Sequence, residues 1–291
     1  MILTYVLYNP LACDHHGEER AFELKKLLDT AEIRFIDITS IHVPAFLKEL
    51  RFTDAVIIAG GDGTLNHLVN QLNDVHPMQQ IYYYATGSGN DFMCDVKNKS
   101  VHGLVLLNRY IESLPQITVN GQSRKFLNGV GFGIDGYCCE EADRLRSMGK
   151  QKIDYSAIAV KGLLMHFQPV TATVTVDQTT RVFHHTWLAP TMNGRYYGGG
   201  MMVAPRQNRL NSEKTVTTVI MHCPSKLKTL AVFPSIFKGE HIQHEKMVTT
   251  MTGRAITVSF DRPTALQIDG ETIPNVTQYC VSSSATIRAS A

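Results

Sequence analysis

From the start of the chain to Pro115, apolar runs typical of buried strands alternate with segments whose apolar residues repeat at helical spacing. In one such segment Leu65, Leu68 and Leu72 recur at i, i+3 and i+7. This alternation predicts a parallel sheet covered by helices on both faces. The predicted strands are residues 2–8, 34–38, 55–59 and 81–85, and the predicted helices are residues 18–28, 44–51, 65–72 and 103–111.

Beyond Pro115 the pattern changes to short β-rich runs separated by turn signals such as Asn120-Gly121. Two helical stretches, residues 138–166 and 225–237, interrupt these runs. We predict an antiparallel β-sandwich in this half. Its predicted strands are residues 116–119, 126–131, 170–176, 182–190, 215–221, 255–260, 266–268 and 278–282.

The two patterns predict two domains, and the 291 residues are enough for both. Residues 1–115 form the α/β domain and residues 116–283 form the β-sandwich domain. A last strand within residues 284–291 could return to the first domain.

Composition and charge exclude several classes of protein. The chain is 44% hydrophobic and 19% charged, which suits folded domains with sizeable cores. Its net charge of +2 gives no argument for a nucleic-acid partner. No apolar run reaches the roughly 18–20 residues of a membrane span. The start shows no secretory signal, and the cysteines form no C-x-x-C pair, so we expect a cytoplasmic protein.

The most informative motif is the run Gly60-Gly61-Asp62-Gly63-Thr64, which follows a predicted buried strand and opens a predicted helix. Glycines let the backbone approach a bulky anion, and free N–H groups at a helix start attract phosphate. Asp62 would repel a phosphate unless a cation lay between them, so it implies Mg²⁺. The Thr64 hydroxyl can cap the helix or bond a phosphate oxygen. We predict a nucleotide phosphate site, with an ordinary strand–helix turn as the alternative.

A second glycine turn, Gly87-Ser88-Gly89-Asn90-Asp91-Phe92, follows the next predicted strand. Because the carboxyl ends of parallel strands meet at one edge of the sheet, we expect it beside the first turn. Its serine and asparagine can donate to phosphate or ribose, and its aspartate can hold the loop or contact a sugar hydroxyl. Asn9-Pro10 and Thr39 follow the first two strands at equivalent edge positions, although turn chemistry also explains them.

These motifs and others in the second half make the chain resemble the diacylglycerol kinase catalytic family, which includes bacterial soluble diacylglycerol kinases and sphingosine kinases. The matching residues follow the family's order along nearly the whole chain. They are Asn9-Pro10, Gly60-Gly61-Asp62-Gly63-Thr64 with Asn66, Gly87-Ser88-Gly89-Asn90-Asp91-Phe92, Asn128-Gly129-Val130-Gly131-Phe132-Gly133, Asn193-Gly194, Gly198-Gly199-Gly200, Ala204-Pro205 and Asp269-Gly270-Glu271.

The resemblance implies an N-terminal ATP-binding domain similar to those of phosphofructokinases and NAD kinases, and a C-terminal β-sandwich that presents a lipid across a cleft. The implied reaction moves the γ-phosphoryl group of ATP, with Mg²⁺, to the hydroxyl of diacylglycerol or a related lipid alcohol. The expected nucleotide-binding residues are Asn9, Pro10, Thr39, Gly60, Gly61, Asp62, Gly63, Thr64, Asn66, Gly87, Ser88, Asn90 and Asp91.

By resemblance, Asp269-Gly270-Glu271 supplies the group that accepts the hydroxyl proton. On a strand, residues two apart point to the same face, so both carboxylates could share one patch. We expect Glu271 to be the proton acceptor with Asp269 assisting, although the order could be reversed. Asp62 is the third expected catalytic residue, as the anchor of Mg·ATP. Taken alone, the tripeptide would be interpreted as a hairpin turn.

The chain departs from the family's pattern at an auxiliary metal site. Relatives carry Asp-Gly several residues after the Ala-Pro motif, where the Asp helps to bind a metal, and here Asn211 falls at that place. An amide oxygen can ligate Mg²⁺ but brings no negative charge. The candidate ligands of this second metal are Asn208, Asn211 and Glu213.

Two alternative functions remain open from the sequence. One is a kinase with a soluble acceptor such as NAD, because that family also uses Gly-Gly-Asp-Gly-Thr. The other is a catalytically silent lipid- or nucleotide-binding protein, which Asn211 motivates. We expect transient contact with a membrane surface, and the sequence leaves open whether the chain acts as a homodimer. The basic and apolar residues 144–167 suit either that contact or a core-packing helix with a solvated basic face.

Overall fold

The computed structural model describes residues 3–28, 32–73, 75–87, 89–150, 153, 155–163 and 167–283, without the side chains of Asp14 and Ser156. The chain divides into two units, Met1–Leu114 and Pro115–Ala291. Ser88 and the last strand predicted within residues 284–291 lie outside the described residues.

The described part of the first unit is an α/β sheet with short helices. Its strands are β1 (Thr4–Tyr8), β2 (Ile33–Asp37), β3 (Ala55–Gly60), β4 (Gln80–Ala85) and β5 (Leu104–Leu106). Its helices are α1 (Ala12–His15), α2 (Gly17–Phe22), α3 (Val43–Glu49), α4 (Asp62–Leu72), α5 (Asp91–Val96) and α6 (Asn108–Ile111), with 3-10 turns at Glu23–Lys26, Ile38–Ser40 and Lys97–Lys99. The strand order is β2-β1-β3-β4-β5, in which the first four strands are parallel and β5 is antiparallel to β4.

Strand β3 lies at the centre of this sheet and is buried on both faces. Val56, Ile57 and Ile58 are each at most 2% exposed, as the middle of a parallel sheet requires. Leu65 and Leu68 of α4 are fully buried. Each such side chain contributes about 1.5–3 kcal/mol through removal from water. This packing fixes the position of the glycine run that joins β3 to α4.

The helix predicted at residues 103–111 is wrong over its first part. His102 and Gly103 have positive φ angles of 50° and 80°, and they reverse the chain in a tight turn. Leu104 then pairs with Tyr84 as the edge strand β5. Only the short helix α6 remains of the predicted helix, because the turn places the apolar residues before it on an edge strand.

The described part of the second unit is mostly antiparallel sheet. Its strands are β6 (Gln116–Val119), β7 (Gln122–Lys125), β8 (Gly129–Phe132), β9 (Val170–Val176), β10 (Thr179–Leu188), β11 (Thr191–Met192), β12 (Tyr196–Tyr197), β13 (Met201–Met202), β14 (Val216–His222), β15 (Val248–Gly253), β16 (Ala255–Ile268) and β17 (Glu271–Ser282). Its helices are α7 (Ile134–Ser147), α8 (Tyr155–Lys161) and α9 (Lys226–Val232), with 3-10 turns at Phe233–Lys238 and Glu240–Gln243.

The long strand β16 closes the main sheet of this unit on itself. Its first half pairs with β9, where Val258 lies opposite Val174, and its second half pairs with β8, where Leu266 lies opposite Phe132. Strands β11, β14 and β10 complete the path from β8 back to β9. The predicted antiparallel β-rich class of this half is therefore confirmed, with the sheet folded around its own core.

Two apolar clusters hold this unit together. Inside the folded sheet, the rings of Phe132 and Phe260 stack with centroids 3.8 Å apart. On the outside, the three helices cover a second cluster that contains Trp187, which is fully buried. One face of the sheet thus packs on an inner core, and its other face is covered by helices.

Three sequence predictions for this half need correction. The runs at residues 255–260 and 266–268 are one continuous strand, because β16 keeps pairing with β17 through a register shift. The helical stretch at residues 138–166 is two helices, α7 and α8, and residues 164–166 lie outside the described part. Strand β15 was not predicted because its alternation rests on threonines rather than on large apolar residues.

One buried histidine links the stability of this unit to pH. His241 is 0% exposed, and its Nε2 atom lies 3.0 Å from the backbone oxygen of Val203. Burial lowers the pKa of His241 from 6.5 to about 4, because the charged imidazolium would lose its hydration.

We predict that acid weakens the second unit through His241. Below pH 6.5 the His241 side chain of the unfolded chain binds a proton. In the folded protein the same side chain stays neutral until the pH approaches its pKa of about 4. Stability is therefore complete above pH 6.5 and declines as the pH falls towards 4, by up to about 3 kcal/mol. Urea unfolding at several pH values, followed by the fluorescence of the single tryptophan, measures this decline. His241→Gln, whose amide can donate to the same carbonyl, should flatten it; an unchanged slope would contradict the assignment.

Candidate functional site

Three loops meet at the carboxyl ends of β1, β3 and β4 in the first unit. The two glycine turns touch each other: a Cβ atom added to Gly87 would lie 2.6 Å from the Cα atom of Gly61. Thr86 also donates its backbone N–H to the oxygen of Gly60 at 2.9 Å. The turns therefore lie side by side, and glycine is needed because any side chain at position 87 would push them apart.

Asp62 ties the two turns together. Its Oδ2 atom accepts the backbone N–H of Asp91 at 2.7 Å, and its Oδ1 atom accepts the backbone N–H of Phe92 at 2.9 Å. Those N–H groups belong to the first turn of α5 and have no partner within the helix. The carboxylate of one glycine motif thus caps the helix that begins in the other motif. A charged acceptor makes such bonds stronger than neutral ones.

Asn9 brings the β1 loop to the same place. Its Nδ2 atom donates to the Thr64 hydroxyl at 3.0 Å, and its Oδ1 atom accepts the N–H of Leu11 at 3.0 Å. Thr64 is 6% exposed, and its side chain leaves no room for a side chain at Gly60, where a Cβ would lie 2.5 Å away. The hydroxyl of Thr64 is therefore held by a neighbouring loop instead of capping its own helix.

The remaining predicted nucleotide-binding residues lie in different elements of the first unit. Asn90 lies in the second turn, in the left-handed conformation with a φ angle of 51°, and its Nδ2 atom donates to the oxygen of Gly87. Asn66 is buried on α4, and Pro10 follows Asn9 in the β1 loop. The Thr39 hydroxyl and N–H are both bonded to the carboxylate of Asp37 in their own turn, at 2.7 and 2.8 Å.

The junction of these three loops leaves polar groups available to a ligand. Gly63, in the first turn of α4, is exposed and has open space where a side chain would stand. The first N–H groups of an α-helix have no intrahelical acceptor and attract anions. Beside the second turn lies a cavity of about 230 Å³, lined in part by Arg20, Tyr84 and Thr86. The Thr86 hydroxyl is buried and has no hydrogen-bond partner among the described residues.

In the second unit, Asp269 holds the start of β8. It lies in the turn between β16 and β17 with a positive φ angle of 47°. Its carboxylate accepts the backbone N–H groups of Leu127, Asn128 and Gly129 at 2.5, 2.8 and 3.0 Å. Arg209 completes the arrangement by donating to the oxygen of Leu127 at 3.0 Å.

Glu271 has a different partner. It is the first residue of β17, its side chain is 58% exposed, and its carboxylate pairs with the Arg124 guanidinium. The expectation that Asp269 and Glu271 point to one face of a strand is not met, because Asp269 lies in the turn. The two carboxylates are held by separate groups.

The predicted auxiliary metal ligands lie between β13 and β14. The Asn211 amide is bonded to the backbone of Asn208 and Thr215, and Glu213 pairs with Arg254 at 2.7 Å. Within the described ranges, no group of three or more histidine, cysteine or carboxylate side chains could hold a metal ion.

The sequence analysis missed one buried carboxylate in the second unit. Asp135, at the start of α7, is 7% exposed, and the hydroxyl of Tyr197 donates to its Oδ2 atom at 2.8 Å. Burial raises the pKa of Asp135 to about 6. A Cβ at Gly131 would lie 1.8 Å from that Oδ2, so glycine makes room for the carboxylate. An aspartate at a helix start looks like an ordinary cap, and only the neighbouring Gly131 and Gly133 could have drawn attention to it.

Helices of membrane-spanning character do not occur in the described ranges: none combines the length and the apolar character that crossing a bilayer requires.

Comparison with known proteins identifies the family. The family model for the diacylglycerol kinase catalytic domain matches residues 4–125, and the model for the YegS C-terminal NAD kinase beta sandwich-like domain matches residues 128–287. The chain therefore belongs to the diacylglycerol kinase family and is a lipid kinase, as its motifs predicted.

Individual relatives agree with this assignment. The protein named "Diacylglycerol kinase" of Mycobacterium tuberculosis (strain ATCC 25618 / H37Rv) is 29% identical over 220 residues, which cover 72% of this chain and 68% of that protein. The protein named "Putative lipid kinase SH2167" of Staphylococcus haemolyticus (strain JCSC1435) is 30% identical over 230 residues, covering 75% of this chain and 70% of its own length.

The fold has a close counterpart among solved structures. The chain described as "a putative diacylglycerol kinase from Bacillus anthracis str. Sterne" superposes with a TM-score of 0.67 at 16% sequence identity, covering 97% of this chain and 91% of that chain. At this identity the likeness concerns the fold alone.

We predict that Asp62→Ala opens the contact between the two glycine turns. Two buried N–H groups would lose their acceptor, at a cost of about 1–3 kcal/mol in stability. Phosphoryl transfer should fall about 100-fold or more, because the turns would no longer be held at their present separation. Kinetics with purified, folded variant protein measure this loss.

Asp54→Ala is the matched control. Asp54 is also buried and also accepts two backbone N–H groups, from Leu3 at 3.3 Å and Arg51 at 3.1 Å, but it precedes β3 at the opposite edge of the sheet. It should lose stability without losing activity per folded molecule. Equal activity losses in both variants would mean that Asp62 has only a structural role.

Proposed function

We propose that this lipid kinase transfers the γ-phosphoryl group of ATP, with Mg²⁺, to the hydroxyl of diacylglycerol or a closely related lipid alcohol. The observation that carries the proposal is the junction at which Asp62 locks two glycine turns together at a helix N-terminus. Such a junction presents fixed backbone N–H groups and close backbone approach, which a triphosphate needs. Family membership favours a lipid as the acceptor.

The charge pattern of the junction is consistent with a metal-bound nucleotide. The carboxylates of Asp62 and Asp91 both raise the pKa of the buried Tyr83, after the larger effect of burial itself. A cation between these carboxylates and a bound phosphate would offset their repulsion, and carboxylate oxygens are ligands that Mg²⁺ uses. Asp62 and Asp91 are therefore the residues proposed to hold Mg²⁺, which neutralises charge on the transferred phosphoryl group when bound.

Asp135 is our proposal for the polar contact of the lipid in the second unit. Its Oδ1 atom is buried and has no hydrogen-bond partner among the described residues, while its Oδ2 atom accepts the Tyr197 hydroxyl. Ile134 and Tyr197 both belong to the apolar cluster beneath the helices. A lipid alcohol offers a hydroxyl on an apolar body, which matches a buried carboxylate beside an apolar cluster.

Glu271 remains the proposed proton acceptor. Its exposed carboxylate can reach a hydroxyl, and its pairing with the Arg124 guanidinium orients it. The carboxylate of Asp269 accepts three backbone N–H bonds, so its assistance is proposed to be positional: it fixes the turn from which Glu271 projects.

Access to a lipid requires contact with a membrane surface, and one segment suits it. Residues 224–239 carry Lys226, Lys228 and Lys238 without any Asp or Glu. In the same segment Leu227 is 76% exposed and Phe237 is 42% exposed. Exposed apolar side chains flanked by lysines bind anionic bilayers through burial and charge together.

The basic residues in the 144–167 stretch are arranged differently. Arg144 pairs with Glu141 at 2.6 Å and Arg146 pairs with Asp143 at 2.8 Å, so their charge is locally compensated. The apolar side chains of Ile158 and Leu163 are buried in the helix-covered cluster. Core packing therefore accounts for most of this stretch, and the 224–239 segment is the better candidate for membrane contact.

The function is tested by incubating purified protein with labelled ATP and separate acceptors: diacylglycerol in vesicles, a sphingoid base in vesicles, NAD, and no acceptor. Label in phosphatidic acid is the expected result. Label in a phosphorylated sphingoid base would change the acceptor but retain the reaction. Transfer to NAD alone, or ATP binding without turnover, would overturn the proposal.

We predict that Glu271→Gln lowers kcat about 100-fold or more and changes the KM for ATP little, because only proton acceptance is lost. Steady-state kinetics with diacylglycerol vesicles give both parameters. Glu141→Gln, which removes another arginine-paired carboxylate from the second unit, should keep the wild-type kcat. A wild-type kcat in Glu271→Gln would remove this residue from the chemistry.

We predict that Leu227→Glu weakens binding to vesicles containing anionic lipid about tenfold or more, because a buried leucine contributes about 1.5–3 kcal/mol. Co-sedimentation with vesicles measures binding, and transfer to a soluble short-chain diacylglycerol should stay unchanged. Val182→Glu is the control, since Val182 is also exposed, at 56%, but lies on β10. Similar losses in both variants would argue against a dedicated membrane-binding segment.

A further inference from the structure

The side chain of Asn211 closes the loop between β13 and β14 by bonding at both ends of its amide. The Nδ2 atom donates to the backbone oxygen of Asn208 at 2.7 Å and to that of Thr215 at 2.9 Å. The Oδ1 atom accepts the N–H of Thr215 at 2.8 Å and its hydroxyl at 3.1 Å. Both donors and the acceptor of this amide are therefore used within the loop.

The orientation of this amide follows from its partners. The two groups beside Nδ2 are carbonyl oxygens, which can only accept a hydrogen bond. The Thr215 backbone group beside Oδ1 is an N–H, which can only donate. A rotated amide would place acceptor against acceptor and donor against donor, so one orientation alone satisfies the loop.

The other two candidate metal ligands are also engaged. The Oδ1 atom of Asn208 accepts the N–H of Leu210 at 3.0 Å. The carboxylate of Glu213 accepts from Nη2 of Arg254 at 2.7 Å, and Nε of Arg254 donates to the backbone oxygen of Glu213 at 2.9 Å. The Asn208 and Glu213 side chains are thus bonded to separate partners.

These residues do not fit the divalent cation that the family resemblance implies at this place. Such a cation needs several oxygen ligands directed at one point. Here two carbonyl oxygens do converge, but the point between them holds the NH₂ group of Asn211. That group presents partial positive charge to both oxygens, which is the electrostatic task a cation would perform.

We infer that the Asn211 amide replaces a divalent cation in this loop, so that the second unit folds and keeps its stability without one. The inference concerns the metal requirement of the fold and is independent of the Mg²⁺ that accompanies ATP. It also has a converse. A carboxylate at position 211 would face the same two carbonyl oxygens with no donor, and a cation would relieve the repulsion.

The experiment compares the melting temperatures of the wild type, Asn211→Asp and Ser212→Asp without nucleotide, followed by Trp187 fluorescence. Each protein is melted in EDTA, in millimolar CaCl₂ and in millimolar MgCl₂. Trp187 is buried beneath the helices of the second unit, so its signal reports that unit. Ser212→Asp is the matched control because it adds the same charge one residue away, at an exposed position.

We expect the wild type and Ser212→Asp to melt at the same temperature in all three solutions. Asn211→Asp should melt about 3–10 °C lower than the wild type in EDTA, because two carbonyl oxygens lose their donor and face a carboxylate instead. CaCl₂ or MgCl₂ should recover most of that loss in this variant alone.

Two results would overturn the inference. One is a wild-type melting temperature that rises with either salt and stops rising in Asn211→Ala, which would show that the native amide ligates a cation. The other is an Asn211→Asp protein that melts like the wild type and ignores both salts. The assay contains neither ATP nor lipid, so its outcome is independent of the proposed kinase reaction.

Discussion

The hydrogen bonds from the start of α5 to the Asp62 carboxylate are the constraint on which the first unit's candidate site depends. They join two turns that belong to different strand–helix connections and whose backbones lie in close contact at Gly61 and Gly87. Backbone contact without side chains gives little cohesion, and the charged acceptor supplies the missing attraction. The protein itself thus sets the separation of the two loops, which the proposed recognition of a nucleotide requires.

The second unit uses the same device with Asp269. A carboxylate in a turn accepts three consecutive backbone N–H groups from a distant segment and thereby fixes the start of β8. In both units an aspartate beside glycine accepts hydrogen bonds from the backbone of another segment. In the first unit glycine at position 87 is required for the close approach, and in both units the aspartate supplies an acceptor for backbone N–H groups.

The sequence was a good guide wherever geometry follows from strand order. Carboxyl ends of neighbouring parallel strands must share an edge, so the contact between the turns at Gly61 and Gly87 was predictable. The separate partners of Asp269 and Glu271 were not, because the same three residues suit a strand or a turn until the pairing of β16 with β17 is known. Asp135 was missed since its burial depends on residues far along the chain. The closure of the β13–β14 loop by Asn211 was missed because it depends on side-chain orientation.

The closure of the sheet by β16 has a consequence for how the chain folds. Strand β16 cannot complete its pairing until β8 and β9, which lie far before it in the chain, are both in place. In the first unit's parallel sheet the paired strands lie nearer to each other in the chain, the most distant pairing being that of Thr4 in β1 with Ala55 in β3. Folding slows as native contacts link residues that are more distant along the chain. During synthesis the first unit can therefore reach its native form early, while the second must wait for its last strands.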